Sequence, residues 1–299
     1  KGATIVDENA KTARDDYIKG ADKHPIEVGR YGHLPVILSK MLFTKSLKCL
    51  GTTLKHGQVC FFRKGVEYSK NQSFMACIAD ACGFSAPNSI LKLKKRMLDR
   101  LTLDKYITYQ NGTLFSNFEK EIEVNMSAYA STTFIKKTKN KAYAKKVVQS
   151  FENFKLFIKD KSISIQYKYL WDFICNDLFD EGYINLVILN IPEDDVTDNV
   201  ELICPSNHYS NTFYHSEKPT LIITSKNGFY EPIYKVWKKD NDKFAPAKKF
   251  FTEKSDDIMP NIKKMLKIVK ANMIKCAPEK SMAQYTFKRG ILLSDLFVE

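Results

Sequence analysis

The feature that most constrains the fold is an unbroken apolar run at residues 183–191, YINLVILNI. Isoleucine and valine recur in it, and its length is typical of a strand rather than of a helix. A strand without polar alternation is covered on both faces, as in a sheet that packs between helices. The run therefore predicts an α+β or α/β fold with a small central sheet.

Amphipathic helices are predicted around that strand. In SFMACIADAC, the residues Phe74, Cys77, Ile78 and Ala81 follow the spacing i, i+3, i+4, i+7 of one apolar helix face, and Ser73 is the predicted N-cap. Four further helices are predicted, in the segments 89–101, 139–160, 166–182 and 261–276.

Two Asn-Gly pairs predict tight hairpin turns, because this dipeptide suits the left-handed backbone of a two-residue turn. One pair is Asn111-Gly112 and the other is Asn227-Gly228, each between apolar stretches. Pro232 follows the second turn and predicts an edge strand or a bulge there, because proline lacks the N–H that a central strand donates.

Three regions are expected along the chain: a loose arm at 1–30, one α+β domain at 31–240 and a basic helical extension at 241–299. The first residue is Lys rather than Met, which predicts a piece of a longer polypeptide. No apolar run reaches the length that crosses a bilayer, and the first residues do not resemble a signal peptide. A soluble protein with no membrane partner is expected.

The seven cysteines are an odd number, and several lie within apolar runs. They are expected to be reduced core thiols, which implies a cytosolic or nuclear setting. No cysteine or histidine spacing matches a zinc site, and no glycine-rich phosphate loop is present. The sequence therefore predicts no metal and no cofactor.

The net charge of +13 comes almost entirely from lysine, since only six of the 47 basic residues are arginine. Lysine acts as a hydrated point charge, whereas arginine makes the bidentate contacts that read phosphates and bases. The charge therefore favours sequence-independent attraction to a polyanion such as RNA or DNA. The alternative is that it reflects an AT-rich genome, which also encodes abundant Lys, Asn, Ile, Phe and Tyr.

The densest basic stretch is IKKTKNKAYAKK at residues 135–146, and Tyr143 within it is able to stack on a base. The basic terminal helix is expected to extend this surface. The alternative interpretation of the basic stretch is a helix face that only keeps the protein in solution. The candidate nucleic-acid-binding residues are Lys136, Lys137, Lys139, Lys141, Tyr143, Lys145, Lys146, Lys263, Lys264, Lys267 and Lys270.

The block SKNQSFMACIAD at residues 69–80 resembles the nucleophile block of the ovarian-tumour (OTU) type, papain-like cysteine proteases. In that family the sequence is of the kind Asp-Gly-Asn-Cys-Leu-Phe-Arg-Ala-Ile-Ala-Asp. Ser73 stands at the position of the nucleophilic Cys, and Lys70 stands at the position of the Asp. The resemblance implies an OTU-like fold, with a small sheet between helices.

The family's general base is a His on a strand after a hairpin turn, and TLIITSKNGFYEPIYKV supplies that strand and turn. Phe229 stands at the position of the His. A serine hydroxyl needs a base to become nucleophilic, and Phe229 cannot accept a proton. The resemblance therefore implies a catalytically inactive site, formed by Ser73 and Phe229, in a domain that binds a partner. The partner is nucleic acid or, as the alternative, a protein: ubiquitin, another domain of the same polypeptide or a viral subunit.

A second arrangement keeps catalysis open. In CPSNHYSN, His208 is followed by Tyr209, as in the His-aromatic pair of the family, and Asn211 is able to orient the ring. A Ser73–His208–Asn211 hydrolase is then conceivable, as is a native Cys enzyme in which Ser73 is a substitution. The alternative is that His208 has no catalytic role and lies in a surface loop between Pro205 and Pro219.

Two longer blocks, 61–80 and 204–236, also resemble segments of very long, poorly characterised proteins of nucleocytoplasmic large DNA viruses, the giant viruses. Some of these are grouped with transcription or replication machinery. A Ser occupies the turn in them, which implies that Ser73 is native. This resemblance implies a viral polypeptide in the infected-cell cytoplasm or viral factory, with the nucleus as the alternative.

Overall fold

The computed structural model of the chain describes residues 17–41, 49–180, 182–192, 200–204, 214–238, 247–253, 263–264 and 266–271. Strands and helices are numbered here in chain order. The strands are β1 (Tyr31–His33), β2 (Val59–Lys64), β3 (Asn185–Ile191), β4 (Glu201–Leu202), β5 (Thr220–Lys226), β6 (Phe229–Trp237), β7 (Ala247–Lys248) and β8 (Phe250–Phe251). The α-helices are α1 (Val36–Met41), α2 (Ser73–Ala81), α3 (Ser89–Arg100), α4 (Leu103–Tyr106), α5 (Thr133–Lys137), α6 (Lys141–Lys159) and α7 (Trp171–Asn176).

The strands form one open mixed sheet in the order β1-β2-β6-β5-β3-β4, and β7 and β8 add short pairings to β6 and β5. β3 runs parallel to β5, whereas the other neighbours are antiparallel. Five consecutive residues of β3, Asn185 to Leu189, are buried, so the apolar run is a strand covered on both faces, as predicted. The mixed α/β architecture agrees with the expected α+β class.

The helix α2 lies at the centre of the molecule, where it packs against β6 on one side and against α3 on another. All nine of its residues are buried. The sequence predicted only one apolar stripe, but a helix that is covered all round needs small or apolar residues on every side. The helix α3 in turn contacts α6, so helices build a thick layer next to the sheet.

The hairpin at Asn227-Gly228 is confirmed, because both residues have positive φ angles, 53° and 72°, and Lys226 pairs with Phe229. The prediction that Pro232 lies in an edge strand or at a bulge is wrong, since β6 lies in the sheet interior between β2 and β5. Its pairing with β5 ends at Pro232, and its pairing with β2 begins at the next residue. The missing N–H therefore falls where β6 exchanges one neighbour for the other.

The hairpin predicted at Asn111-Gly112 is wrong, because this region forms the 3-10 turns Tyr109–Gly112 and Leu114–Phe118. The pair does adopt the left-handed backbone, with φ angles of 54° and 82°. Gln110, the residue before the pair, is held by residues distant in sequence. Its N–H donates to the carboxylate of Asp172 over 2.6 Å, and its side-chain amide donates to the carbonyl oxygen of Lys168 over 2.9 Å. Packing onto the helices thus decides the local structure.

The expectation that the cysteines are all reduced is wrong for three of them. Cys49 and Cys60 form a disulfide with their Cα atoms 5.8 Å apart, and Cys204 is also disulfide-bonded. Apolar context does not reveal which thiols the fold brings together. Among the described residues, Cys77, Cys82 and Cys175 are not disulfide-bonded, and Cys276 lies outside those residues.

The segment 17–30 differs from the loose arm expected for 1–30, whereas residues 1–16 lie outside the described ranges. Ile18 and Ile26 are buried. The N–H of Lys19 donates to the carbonyl oxygen of Tyr31 in β1, and the carbonyl oxygen of Lys19 accepts the N–H of His33 in the same strand. Gly65 permits a close approach, because a Cβ there would lie 2.0 Å from the carbonyl oxygen of Glu27. The first described residues thus belong to the packed domain.

Within the described residues, no helix is long and apolar enough to cross a membrane. The same residues contain no group of three or more His, Cys, Asp or Glu side chains that are placed to hold a metal ion.

Candidate functional site

Ser73 is the first residue of α2, and the N-cap is Gln72 rather than Ser73 as predicted. The side-chain amide of Gln72 does not cap the helix. It donates instead to the carbonyl oxygens of Asp160 and Ile163, over 2.9 and 3.0 Å. Asn71 is held by the same loop, because its side chain donates to the carbonyl of Ser162 over 2.9 Å. The turn before α2 is therefore fixed by a loop almost 90 residues later in the sequence.

The hydroxyl oxygen of Ser73 accepts a hydrogen bond from the N–H of Tyr230, over 3.1 Å. This contact brings the start of α2 next to the start of β6, where Phe229 lies. The Ser73 residue is only 2% exposed. Its oxygen is thus engaged by the backbone and shielded from water.

The ring of Phe229 lies between two other rings. His24 meets it edge-on, with ring centroids 5.7 Å apart, and Tyr68 stacks on it at 5.8 Å. Tyr68 is 67% exposed, so the outer side of this pair faces solvent. Phe229, which the predicted resemblance aligns with a catalytic His, is therefore part of an aromatic cluster.

Glu231 lies two residues further along β6 and is fully buried. One carboxylate oxygen accepts the N–H of Ile26 over 2.6 Å, and the other accepts from Arg63 over 2.7 Å. Burial alone raises the pKa of this carboxyl, but hydrogen bonding by His24 and the charge of Arg63 outweigh it and hold the pKa below its ordinary value. Glu231 is therefore a charged anchor in the interior.

Arg63 completes this anchor and is itself 1% exposed. Besides Glu231, it donates to the carbonyl oxygens of His33 and Lys23, both over 2.9 Å, and to those of Gly20 and Ala21 over longer distances. Its planar group of five N–H donors suits such a set of acceptors. The pair thus ties the segment 17–30 across the sheet.

His24 is the histidine that the structure places nearest to this arrangement, and the sequence did not point to it. Its Nδ1 lies 3.2 Å from both Arg63 and Glu231, and its Nε2 lies 3.2 Å from the carbonyl oxygen of Lys226. Carbonyl and carboxylate oxygens only accept, so the bond to Lys226 requires a proton on Nε2 and a bond to Glu231 requires a proton on Nδ1. The ring resembles the His-carboxylate half of a triad, yet its outer nitrogen bonds to the backbone rather than to Ser73.

The alternative pair, His208 and Asn211, lies outside the described residues. Cys77, one turn beyond Ser73 on α2, is a buried thiol, and burial raises its pKa well above the ordinary value. A thiol in that environment stays protonated and is a poor nucleophile.

The second candidate site is the lysine surface, which we define as the six lysines of α5, α6 and the link between them. All six are exposed, and none makes an ion pair within the ranges that the structure describes. No Asp or Glu occurs in the sequence between Val124 and Phe151. The lysine surface consists of Lys136, Lys137, Lys139, Lys141, Lys145 and Lys146.

Acidic groups border the lysine surface. Asp104 accepts the N–H groups of Thr133 and Phe134 at the start of α5, over 2.9 and 2.7 Å, and attracts Lys136. Glu119 and Glu121 line a depression beside Lys146. The positive region therefore has an edge on these sides.

Tyr143, the residue predicted to stack on a base, is 41% exposed. Its N–H donates to the side chain of Asn140, the N-cap of α6, over 3.0 Å. The terminal basic segment is helical at 263–264 and 266–271, with Leu266 and Val269 in the core. Its candidate lysines are exposed except for one that is half-buried: Lys263, Lys264, Lys267 and Lys270.

Comparison of the chain with profiles of protein families, with curated protein sequences and with solved structures returned no match. The resemblance to OTU-type proteases and to giant-virus proteins therefore stays a prediction from the quoted blocks.

Proposed function

We propose that this chain is a non-catalytic, OTU-like binding domain of a longer viral polypeptide, and that it holds nucleic acid through the lysine surface. The observation that carries the proposal is the set of six exposed lysines without an ion pair in the described residues. In the setting that the viral resemblance implies, the domain works in the infected-cell cytoplasm.

The electrostatic argument rests on where the charge is placed. Lysines that neutralise phosphates release counterions, and this release supplies most of the affinity of sequence-independent binding. The positive end of the α6 dipole, near Asn140, lies within the lysine surface and adds to its attraction for anions. Lysine rather than arginine favours contact with the backbone of the nucleic acid over reading of its bases.

The absence of catalysis is supported by the surroundings of Ser73. A nucleophilic hydroxyl needs a base within hydrogen-bond reach and access to substrate. The Ser73 hydroxyl is buried and accepts the N–H of Tyr230, and Phe229 offers no basic atom. We expect Ser73→Cys to give no labelling by a ubiquitin-based electrophile. Clear labelling that disappears with His208→Ala would support the Ser73–His208–Asn211 hydrolase instead.

The decisive experiment is fluorescence anisotropy of labelled RNA and DNA, at low salt and at about 150 mM salt. The test variant changes Lys136, Lys137, Lys141 and Lys145 to Glu. The control variant changes four exposed lysines outside the lysine surface to Glu, namely Lys55, Lys92, Lys95 and Lys161. Each variant lowers the net charge from +13 by 8 to +5.

We expect the test variant to lose at least about tenfold in affinity and to show a shallower salt dependence, because fewer counterions are released. The control variant should stay close to the unchanged protein. An equal loss in both variants would show that only net charge matters, and no binding by the unchanged protein would remove the proposed function.

The stacked pair of exposed Tyr68 and half-buried Phe229 favours a second candidate function, which is docking of a protein such as ubiquitin or a neighbouring viral domain. Exposed aromatic side chains are enriched at protein interfaces. Titration of ubiquitin against the labelled protein, with Tyr68→Ala as the test variant, checks this candidate. An unchanged signal on addition of ubiquitin would exclude ubiquitin as the partner.

A further inference from the structure

We propose that Tyr143 makes the lysine surface selective for single-stranded over double-stranded nucleic acid, by stacking on an unpaired base. This inference rests on the proposed function and names the class of nucleic acid that the site takes.

The Tyr143 ring is held in place although it is partly exposed. Phe115 and Phe134 contact it at steep angles, with centroid distances of 6.0 and 6.1 Å. Both phenylalanines are half-buried and pack against the core. The bond from its N–H to Asn140 fixes its backbone in the first turn of α6. A ring that is already ordered loses little entropy when a base stacks on it.

The charges around Tyr143 are placed for a nucleotide rather than for an isolated base. Lys146 follows it by three residues on α6, so the two side chains are neighbours on the helix surface. Lys139 and Lys141 precede it at the entry to the same helix. A base on the ring thus has cations nearby for its phosphates, which is the arrangement of aromatic and basic groups found in single-strand binding sites.

Only a single strand is able to use the ring. In a duplex the bases stack on one another and the outside presents the phosphate backbone, which the lysines contact in either case. Stacking on an aromatic side chain needs an unpaired base with a free face. Tyr143 therefore adds affinity for a single strand and none for a duplex.

Tyr183 provides a matched control, because it is also an exposed tyrosine beside a lysine. It is 55% exposed, but Lys218 Nζ lies 3.8 Å from its ring centroid and covers one face. Tyr143 has no such cation over its ring in the described part of the chain. Tyr183 also lies outside the lysine surface.

The test measures the affinity of the full chain for a labelled single-stranded RNA and for a duplex of the same sequence. We expect Tyr143→Leu to weaken binding of the single strand about tenfold and to leave duplex binding unchanged. Tyr143→Phe, which keeps the ring, should retain the single-strand affinity, and Tyr183→Leu should change neither. The salt dependence of Tyr143→Leu should equal that of the unchanged protein, since no phosphate contact is removed.

The outcomes separate this inference from the proposed function. If Tyr143→Leu weakens both probes equally, or neither, while the lysine variant still loses binding, the strand selectivity is wrong and the lysine surface stands. If the unchanged protein binds neither probe, both proposals fall. Unchanged duplex affinity in Tyr143→Leu also shows that the variant keeps its fold at this surface.

Discussion

Two charged regions of this protein differ in what their charges contact. Glu231 and Arg63 are both buried and bonded, and their bonds join segments that are far apart in sequence. On the lysine surface the charges are exposed and make no ion pair within the described residues. The first region holds the chain together, whereas the second has its charges free to meet a partner.

The difference follows from solvation. A buried charge has lost its water and persists only when protein groups replace that water, which leaves nothing for a ligand. An exposed lysine keeps its hydration and gains little from a surface ion pair, so the lack of such a pair costs little folding free energy. Loss of a charge should therefore change stability in the first region and binding in the second.

The largest effect is expected from Arg63→Met. The substitution leaves the Glu231 carboxylate buried without its cation and removes the donors to four carbonyl oxygens. We expect a loss of about 3–5 kcal/mol in the free energy of unfolding, measured by urea denaturation. Amide hydrogen exchange should accelerate in residues 17–30, which the arginine holds.

Arg96→Met is the matched control for burial. Arg96 pairs with Asp180 over 2.8 Å, close to the 2.7 Å of Arg63 and Glu231, but Asp180 is 67% exposed. The control should cost less than about 1 kcal/mol. Similar losses in the two variants would show that burial does not set the strength of these pairs.

The next largest loss of stability is expected when the pH is lowered. The pKa of Glu231 in the folded protein lies below its ordinary value of 4.5, so its contribution to stability is complete above that pH. The contribution is lost as the pH falls through the folded-state pKa, because the unfolded chain binds the proton first. Urea midpoints of the unchanged protein and of Glu231→Gln should therefore converge on acidification. A constant gap between the two proteins would contradict the lowered pKa.

A smaller effect is expected from Ser73→Ala, because only one hydrogen bond is lost. The N–H of Tyr230 then has no acceptor in a buried place, which costs about 1–3 kcal/mol. Ser116→Ala is the control, since its hydroxyl bonds a carbonyl oxygen at the surface. Equal urea midpoints for the two variants would show that the Ser73 hydroxyl does not support the contact between α2 and β6.

Much of the fold was predictable because its signals are local. Periodicity predicted α2, α3 and α6, the apolar run predicted β3, and the Asn-Gly pair at 227–228 predicted a real hairpin. The same dipeptide at 111–112 failed, because Gln110 is held by partners about 60 residues away. A local pattern cannot report such a contact.

The buried anchor was missed for the same reason, since Arg63 and Glu231 are 168 residues apart. A signal was nevertheless present: each is a charged residue within an apolar strand, in VCFFRK and in FYEPIYKVW. A charge in such a place requires a partner of opposite sign. The lysine surface, in contrast, was visible in the sequence because its six charges lie within eleven residues, 136 to 146.

The smallest effect on stability is expected from the lysine surface itself. Changing Lys136, Lys137, Lys141 and Lys145 to Gln removes no ion pair of the described residues and keeps a similar helix propensity, so each change should alter the free energy of unfolding by less than about 0.5 kcal/mol. Less repulsion among like charges should make the sum slightly stabilising at low salt, and added salt should abolish that gain. Urea denaturation at two salt concentrations measures both. A loss above about 1 kcal/mol would mean that these lysines hold structure, and weaker binding of nucleic acid by lysine variants would then no longer distinguish the two regions.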